Sequence, residues 1–407
     1  MASTSFRTPG VYIVEQPGPR TIQGVGTSVA AFLGQPPDAG AHQNEAFAVN
    51  SWTQFCVEFA PGDKPRSTNL SHAVYGFFLN GGTRCYIVNV SDNDPIAGTA
   101  RPRSGLQLLE EVDDVSIVAA PGRSDVGSHE ALLSYCERLG NCVAICDPPQ
   151  DVKNIDQLKL VETAPAPKGK DVPGGDAGAK PAAGGLRPRV SLGGFGAFYF
   201  PWLYVADPFD PKADFPAVPP SGAVAGIMAR TDEKRGVHKA PANETVAGAL
   251  NLTYRVTSAE QADLNSQGVN CIRFFPSVGT LVWGARTLAE ESSEWRYLPV
   301  RRLIIMLEES IKRATRWVVF EPNDRTLWKT IRSEIVGFLT NVYLDGALMG
   351  RTADEAFFVQ CDETVNTPER IAAGQVNIVI GVAPVKPAEF VIFRIGQYQA
   401  GTEVESL

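Results

Sequence analysis

Between Val115 and Asp147 the chain reads as an apolar run (VSIVAAPG), a helical stretch over 125–139, and a second apolar run (CVAICD). Strand, helix and strand spaced this closely form a βαβ unit, and such units build parallel sheets covered by helices on both faces. The preceding sequence fits the same plan. Leu70–Leu79 reads as helix, a Gly-Gly turn follows, and Cys85–Val90 reads as a strand. Ser28–Gly34 is an apolar run behind the glycine-rich IQGVGTS, and Thr8–Gln16 (TPGVYIVEQ) is a short strand opened by a Pro-Gly turn.

The pattern breaks at Ala164–Pro188, where 11 of 25 residues are Gly or Pro. A segment of that composition cannot bury enough apolar surface to order itself, so a disordered surface insertion is expected at about 162–190. Order resumes in the aromatic strand Phe195–Val205. A helix capped by Ser221 then carries Ala223, Ala225, Gly226 and Ala229, small enough for another backbone to approach closely. Ser258 and Gln261 fit a capping box before a short helix ending at Gly268. Leu264–Leu288 (LNSQGVNCIRFFPSVGTLVWGARTL) next gives a β-hairpin, Val269–Phe275 and Thr280–Trp283 around a Pro-Ser-Val-Gly turn. Two long helices follow. The first repeats Val300, Leu303, Ile304, Leu307, Ile311 and Ala314 at helical spacing. The second starts from Asn323 or Asp324, carries Leu327 to Val342 on one stripe, and stops near Asp345-Gly346. Beyond Ala353–Asp362, strands are expected at Gln375–Ala383 and Glu389–Gly396. Hairpin, helices and these strands read as a compact α+β domain.

At about 150 residues per domain, 407 residues suggest two to three domains. A net charge of −8 argues against a nucleic-acid binder. No apolar run approaches the ~20 residues needed to span a bilayer. MASTSFRTPG lacks a basic-then-apolar signal, so cytoplasmic synthesis and folding are expected. Cys56, Cys85, Cys136, Cys142, Cys146, Cys271 and Cys361 include no C-x-x-C pair, and reduced, buried thiols are expected rather than a zinc site.

Catalytic motifs fail on inspection. His129-Glu130 is followed by Leu133 where a metalloprotease helix needs histidine. Gly24-Val25-Gly26 is followed by Val29 where a dinucleotide fingerprint needs glycine, and Gly193-Gly194-Phe195-Gly196 fails similarly. Gly169-Lys170 lacks both the earlier glycine and the following Ser or Thr of a phosphate loop, and no G-x-S-x-G elbow exists. No catalytic residue, metal or cofactor is therefore expected. Asp147, and Asp232, Arg235 and Lys239 in RTDEKRGVHK, are charged groups beside packed segments, serving either core or inter-subunit ion pairs.

Six ordered blocks carry a resemblance. They are the opening Thr8-Pro9-Gly10-Val11-Tyr12 with Glu15, then PPSGAVAGIMARTDEKRGVHKAPANE, the Leu264–Leu288 block, WRYLPVRRLIIMLEESIKRATRWVVFEPND, GALMGRTADEAFFVQCDETVN and IGVAPVKPAEFVIFRIGQ. Together these resemble the tail sheath proteins of contractile phage tails and phage-tail-like injection systems, loosely over 1–35 and almost continuously over 195–397. His238 stands where such proteins often have tryptophan, and Ser277 where glycine is common.

The resemblance implies a structural protein, not an enzyme. Its implied fold is α/β and α+β: an N-terminal arm (1–24), an outer α/β domain (25–218) inserted into a sheath core α+β domain (219–387), and a C-terminal arm (388–407). Strands donated between subunits would comprise Val11, Tyr12, Ile13 and Val14, and Phe390, Val391, Ile392, Phe393, Arg394 and Ile395. A tube-facing basic helix would present Arg325, Lys329 and Arg332, which share one face at i, i+4 and i+7, with Lys312 and Arg316 as the competing pair. Implied partners are further copies in six-fold rings, an inner tube, and baseplate and tail-terminator proteins, with no nucleic acid and no membrane insertion. Assembly is expected in the bacterial cytoplasm. The rival reading is an α/β nucleotide-binding enzyme in the 100–150 region.

Overall fold

The computed structural model of the chain describes residues 22–163, 184–210, 212–390 and 392. Its strands are β1 (Ala30–Gly34), β2 (Ala46–Val49), β3 (Cys85–Asn89), β4 (Ile117–Ala119), β5 (Val143–Cys146), β6 (Gly196–Phe200), β7 (Leu203–Tyr204), β8 (Ala217–Val218), β9 (Glu244–Thr245), β10 (Asn251–Leu252), β11 (Val269–Phe275), β12 (Gly279–Val282), β13 (Phe357–Gln360) and β14 (Val379–Val382). The helices are α1 (Trp52–Phe59), α2 (Asn69–Leu79), α3 (Val126–Leu139), α4 (Ser221–Arg235), α5 (Ser258–Ser266), α6 (Leu298–Ala314), α7 (Arg325–Leu344), α8 (Ala353–Ala356) and α9 (Pro368–Ala372).

Nine strands form one sheet in the order β2-β3-β1-β4-β5-β6-β11-β12-β9. The run from β3 to β11 is parallel, and antiparallel strands flank it on both sides. Its central strands are continuously apolar because both faces are covered. Alternation then divides them between two cores. Phe32, Ile87, Ile117, Ile145 and Tyr199 pack with α2 and α4, whereas Leu33, Val88, Val118, Cys146 and Phe198 pack with α3. The small residues of α4 serve a close approach within the subunit: a Cβ on Gly222 would lie 2.2 Å from the Ala73 carbonyl oxygen of α2.

Several local expectations are corrected. Ser221 is the first residue of α4, behind Pro220, and its side chain is drawn away to Asp147 instead of capping the helix. The capping box lies one residue earlier than expected, on Thr257 and Glu260, because Thr257 takes the extended backbone a cap requires. The aromatic strand Phe195–Val205 breaks into β6 and β7 at Pro201, which offers no N–H to a ladder. The root of the Gly/Pro-rich insertion is tied: Val161 bridges Arg187 and Glu162 bridges Gly185. Its residues 164–183 lie outside the described part of the chain.

The expected domain division at 218/219 does not mark a break. β6 pairs with β11 in register Val269↔Phe198 to Cys271↔Phe200, so one sheet runs through both segments. The compact units are instead Val25–Glu308, with which the described residues from 384 onward group, and Glu309–Ala383, with which 22–24 group. The hairpin β11–β12 therefore belongs to the sheet unit and not with α7. In the second unit α7 buries Leu327, Trp328, Ile331, Ile335, Phe338, Leu339 and Val342. Asp324 caps it by accepting from the Leu327 N–H at 2.8 Å. Beside it β13 and β14 form a two-stranded antiparallel ribbon.

Candidate functional site

An α/β enzyme would hold its ligand outside the carboxyl ends of the parallel strands. Here Asp147, following β5, is almost fully buried and receives three donors of the subunit itself. These are the Ser221 N–H (3.0 Å), the Ser221 hydroxyl (2.6 Å) and the Gly122 N–H (3.1 Å). Burial pushes its carboxyl up to about 6, against the pull of those hydrogen bonds and of His129. His129 places Nδ1 2.9 Å from Glu162 and Nε2 3.0 Å from the Asp147 carbonyl oxygen. Serine, histidine and aspartate meet, but the serine hydroxyl donates to the carboxylate and not to the imidazole. The cluster staples β5 to the start of α4 and leaves no activated nucleophile. Among the described residues no group of His, Cys, Asp and Glu is placed to hold a metal ion, and no helix is long and apolar enough to cross a membrane. All seven cysteines are free thiols, six of them buried.

The remaining candidates concern contact between molecules. Asp232 is committed inside the subunit: Arg302 grips it with two bonds (3.0 and 2.5 Å), and Thr27 donates to the same carboxylate at 2.5 Å. Both charged side chains are at most 6% exposed. Arg235 and Lys239 do not join that cluster. Lys239 donates to the carbonyls of Ala240 (2.6 Å) and Ala242 (3.2 Å), and burial lowers the proton affinity of its ammonium, with Glu244 opposing and Arg235 adding. Both line a groove of about 800 Å³ whose other walls include Gln261, Arg273, Trp283 and Lys386.

On α7, Arg325, Lys329 and Arg332 are all exposed. Arg325 meets Glu363 at 2.6 Å. Arg332 donates through Nε to the Val359 carbonyl of β13 at 3.1 Å, so its head group is partly spent on the ribbon. Lys312 pairs with Glu309 at 2.7 Å and keeps 64% side-chain exposure, and Arg316 is exposed on the turn after α6.

Of the strand-donation residues, Val11, Tyr12, Ile13, Val14, Val391, Phe393, Arg394 and Ile395 lie outside the described residues. Phe390 and Ile392 are described, and they are 72% and 82% exposed. Just before them, Glu389 makes a two-pronged contact with buried Arg286 (2.9 and 2.6 Å). A third Arg286 nitrogen donates to the Asn265 carbonyl, while the Asn270 side chain bonds both the backbone N–H and carbonyl of Arg286. Sequence reasoning missed this anchor. An arginine inside an apolar strand block was its only sequence signal.

The ribbon supplies the complementary feature. The Ala383 N–H donates to the Ala356 carbonyl, which fixes the alternation of the ladder. The peptide groups of Ile380 and Val382 therefore point away from β13, and no described strand pairs with that edge. Phe358 faces Gly381 across the ribbon and remains 56% exposed.

Residues 190–288 match the phage tail sheath protein central domain, and residues 290–397 the phage tail sheath C-terminal domain. The tail sheath protein of Salmonella phage ViI is 27% identical over 302 residues, which are 70% of this chain and 44% of that protein. The chain spans less than half the length of the curated relatives it matches. Among solved structures, the anti-feeding prophage helical sheath in its contracted state is 30% identical, with 97% of this chain and 100% of that chain covered and a TM-score of 0.72. The sheath complex of the extracellular contractile injection system PVC, also contracted, is 29% identical with 97% and 99% coverage and a TM-score of 0.74. With both domain matches in sequence and a neighbour of this identity aligned over nearly its whole length, the chain belongs to the phage tail sheath family.

Proposed function

We propose that this chain polymerises as stacked six-membered rings around an inner tube, and that the sheath contracts from a metastable extended state to drive the tube through a target envelope. The observation that carries this reading is the β13–β14 ribbon. A two-stranded ribbon is marginal by itself, and the edge of β14 that no described strand pairs is a template for strand addition. Residues 1–24 and 388–407 act as arms, with Val11–Val14 and Phe390–Ile395 as the strands they donate to neighbouring copies. Each main-chain hydrogen bond so formed adds about 0.5–1.5 kcal/mol. Neighbours joined in this way keep their connection while their broad faces slide past one another.

The basic face of α7 meets an acidic tube. Exposed ion pairs contribute about 0–1 kcal/mol each, enough in repetition to hold a tube and little enough singly to release it. Baseplate and tail-terminator proteins bound the polymer, and assembly takes place in the bacterial cytoplasm. The family is one of structural proteins, and no catalysis is assigned to this chain. The test is truncation. Chains lacking 1–16 or 390–407, the second cut sparing the Glu389 contact to Arg286, should keep the circular dichroism and urea midpoint of the intact protein yet form no tubes by negative-stain microscopy. Normal tubes from either truncation would overturn strand donation.

A further inference from the structure

The groove beside the C-terminal root has an imbalance that the fold does not resolve. Arg235, Lys239, Arg273 and Lys386 line it together with the apolar Trp283 and Ala262. The two inner cations hydrogen-bond neutral groups, Arg273 to Gln261 (2.7 Å) and Ser258 (3.2 Å) and Lys239 to two carbonyls, and Glu244 acts on Lys239 only through space. The groove's own acid, Glu389, is taken by Arg286. A cationic, partly apolar groove on a chain of net charge −8 calls for an acidic segment with an apolar face.

Some acidic residues elsewhere are held in ion pairs: Glu110 with Arg138, Glu111 with Arg103, Glu291 with Arg296 and Glu363 with Arg325. The stretch from Ile395 to Leu407 differs, since its only charged residues are Glu403 and Glu405. In an extended chain those two carboxylates share one side and Val404 takes the other. We infer that the groove receives the segment around Glu403 and Glu405 of a second copy of this chain. The inference rests on the reading that the C-terminal arm leaves its own subunit. The exposure of Phe390 and Ile392 at the departing end supports that direction. Ten residues lie between Ile392 and Glu403, and the eleven steps reach up to about 36–40 Å, enough to carry the acids clear of their own groove.

Two measurements test it. A fluorescein-labelled peptide of residues 400–407, titrated into the intact chain below its assembly concentration, should bind saturably by anisotropy. Binding should weaken at least tenfold in the Arg235→Glu/Lys386→Glu variant and fall with added salt. No saturable binding, binding indifferent to the charge reversal, or equal binding of a scrambled peptide would overturn the assignment. In assembly, subunits carrying Glu403→Lys/Glu405→Lys and subunits carrying Arg235→Glu/Lys386→Glu should each polymerise only at a concentration at least tenfold higher, and their mixture should recover. If each polymerises normally while deletion of 390–407 still blocks tubes, strand donation survives and this inference fails. If only a single chain bearing all four changes recovers, the segment returns to its own groove and the second-copy assignment fails. No recovery in either arrangement also refutes the pairing.

Discussion

In the nine-stranded sheet every strand but the two at its margins is paired on both sides, and the charges beneath it, Asp147 and Asp232, are answered by Ser221, Gly122, Thr27 and Arg302. In the unit built on α7 the ribbon keeps, along β14, an edge that no described strand covers, and Phe358 of β13 and Val379 of β14 are exposed. One part satisfies its own groups. The other leaves main-chain groups that no described strand answers. The contrast teaches where substitutions should act: on stability in the sheet unit, and on assembly at the ribbon and along the basic face of α7.

The largest effect should come from Arg302→Ala. It leaves Asp232 buried with only Thr27 and should cost about 3–5 kcal/mol in urea unfolding. A loss below about 1 kcal/mol would break the picture of a self-satisfied body. A smaller effect follows from Asp147. Burial raises its carboxyl to about 6, whereas an unfolded chain titrates near 4. The native state therefore binds the extra proton between these values. The stability contribution is full below about pH 4, declines as pH rises through 6, and is then level. Asp147→Asn should flatten this slope of roughly 1–3 kcal/mol, measured as urea midpoints from pH 4 to 7. Ile380→Pro sharpens the contrast from the other side. The N–H it removes points outward, so unfolding should shift by less than about 1 kcal/mol, while tube formation is abolished. Tubes at the normal concentration would show that β14 accepts no strand. Smallest in stability is charge reversal at Arg325 and Lys329, within about 0.5 kcal/mol each, Arg332 being kept for its bond to Val359. Its readout is co-sedimentation with tube, and undiminished co-assembly would remove α7 as the tube contact.

Local chemistry was legible in the sequence. The βαβ alternation, the small residues of α4, the cap at Asp324 and the stop at Asp345-Gly346 are short-range signals, and the structure carries each of them. Contacts between distant residues left no such trace. Arg286 and Glu389 are 103 positions apart, and Asp232 and Arg302 are 70 apart. The division at 308/309 was hidden for the same reason: only the pairing of β6 with β11 shows that residues on either side of 218 share one sheet. The capping boxes differed by one residue because Thr257-Ser258 offers two adjacent hydroxyls, and backbone geometry alone selects between them.

The tied root of the Gly/Pro-rich insertion has a practical consequence. With Glu162 bridged to Gly185, the chain leaves and re-enters the body at neighbouring points, and Glu162 is itself held by His129. Lengthening a loop whose ends are already closed costs only about 0.6 kcal/mol per doubling. A peptide epitope or affinity tag spliced between residues 164 and 183 should therefore leave the sheet intact. In a helical polymer it would be displayed once per subunit, turning the particle into a multivalent surface whose avidity is set by the spacing of its subunits.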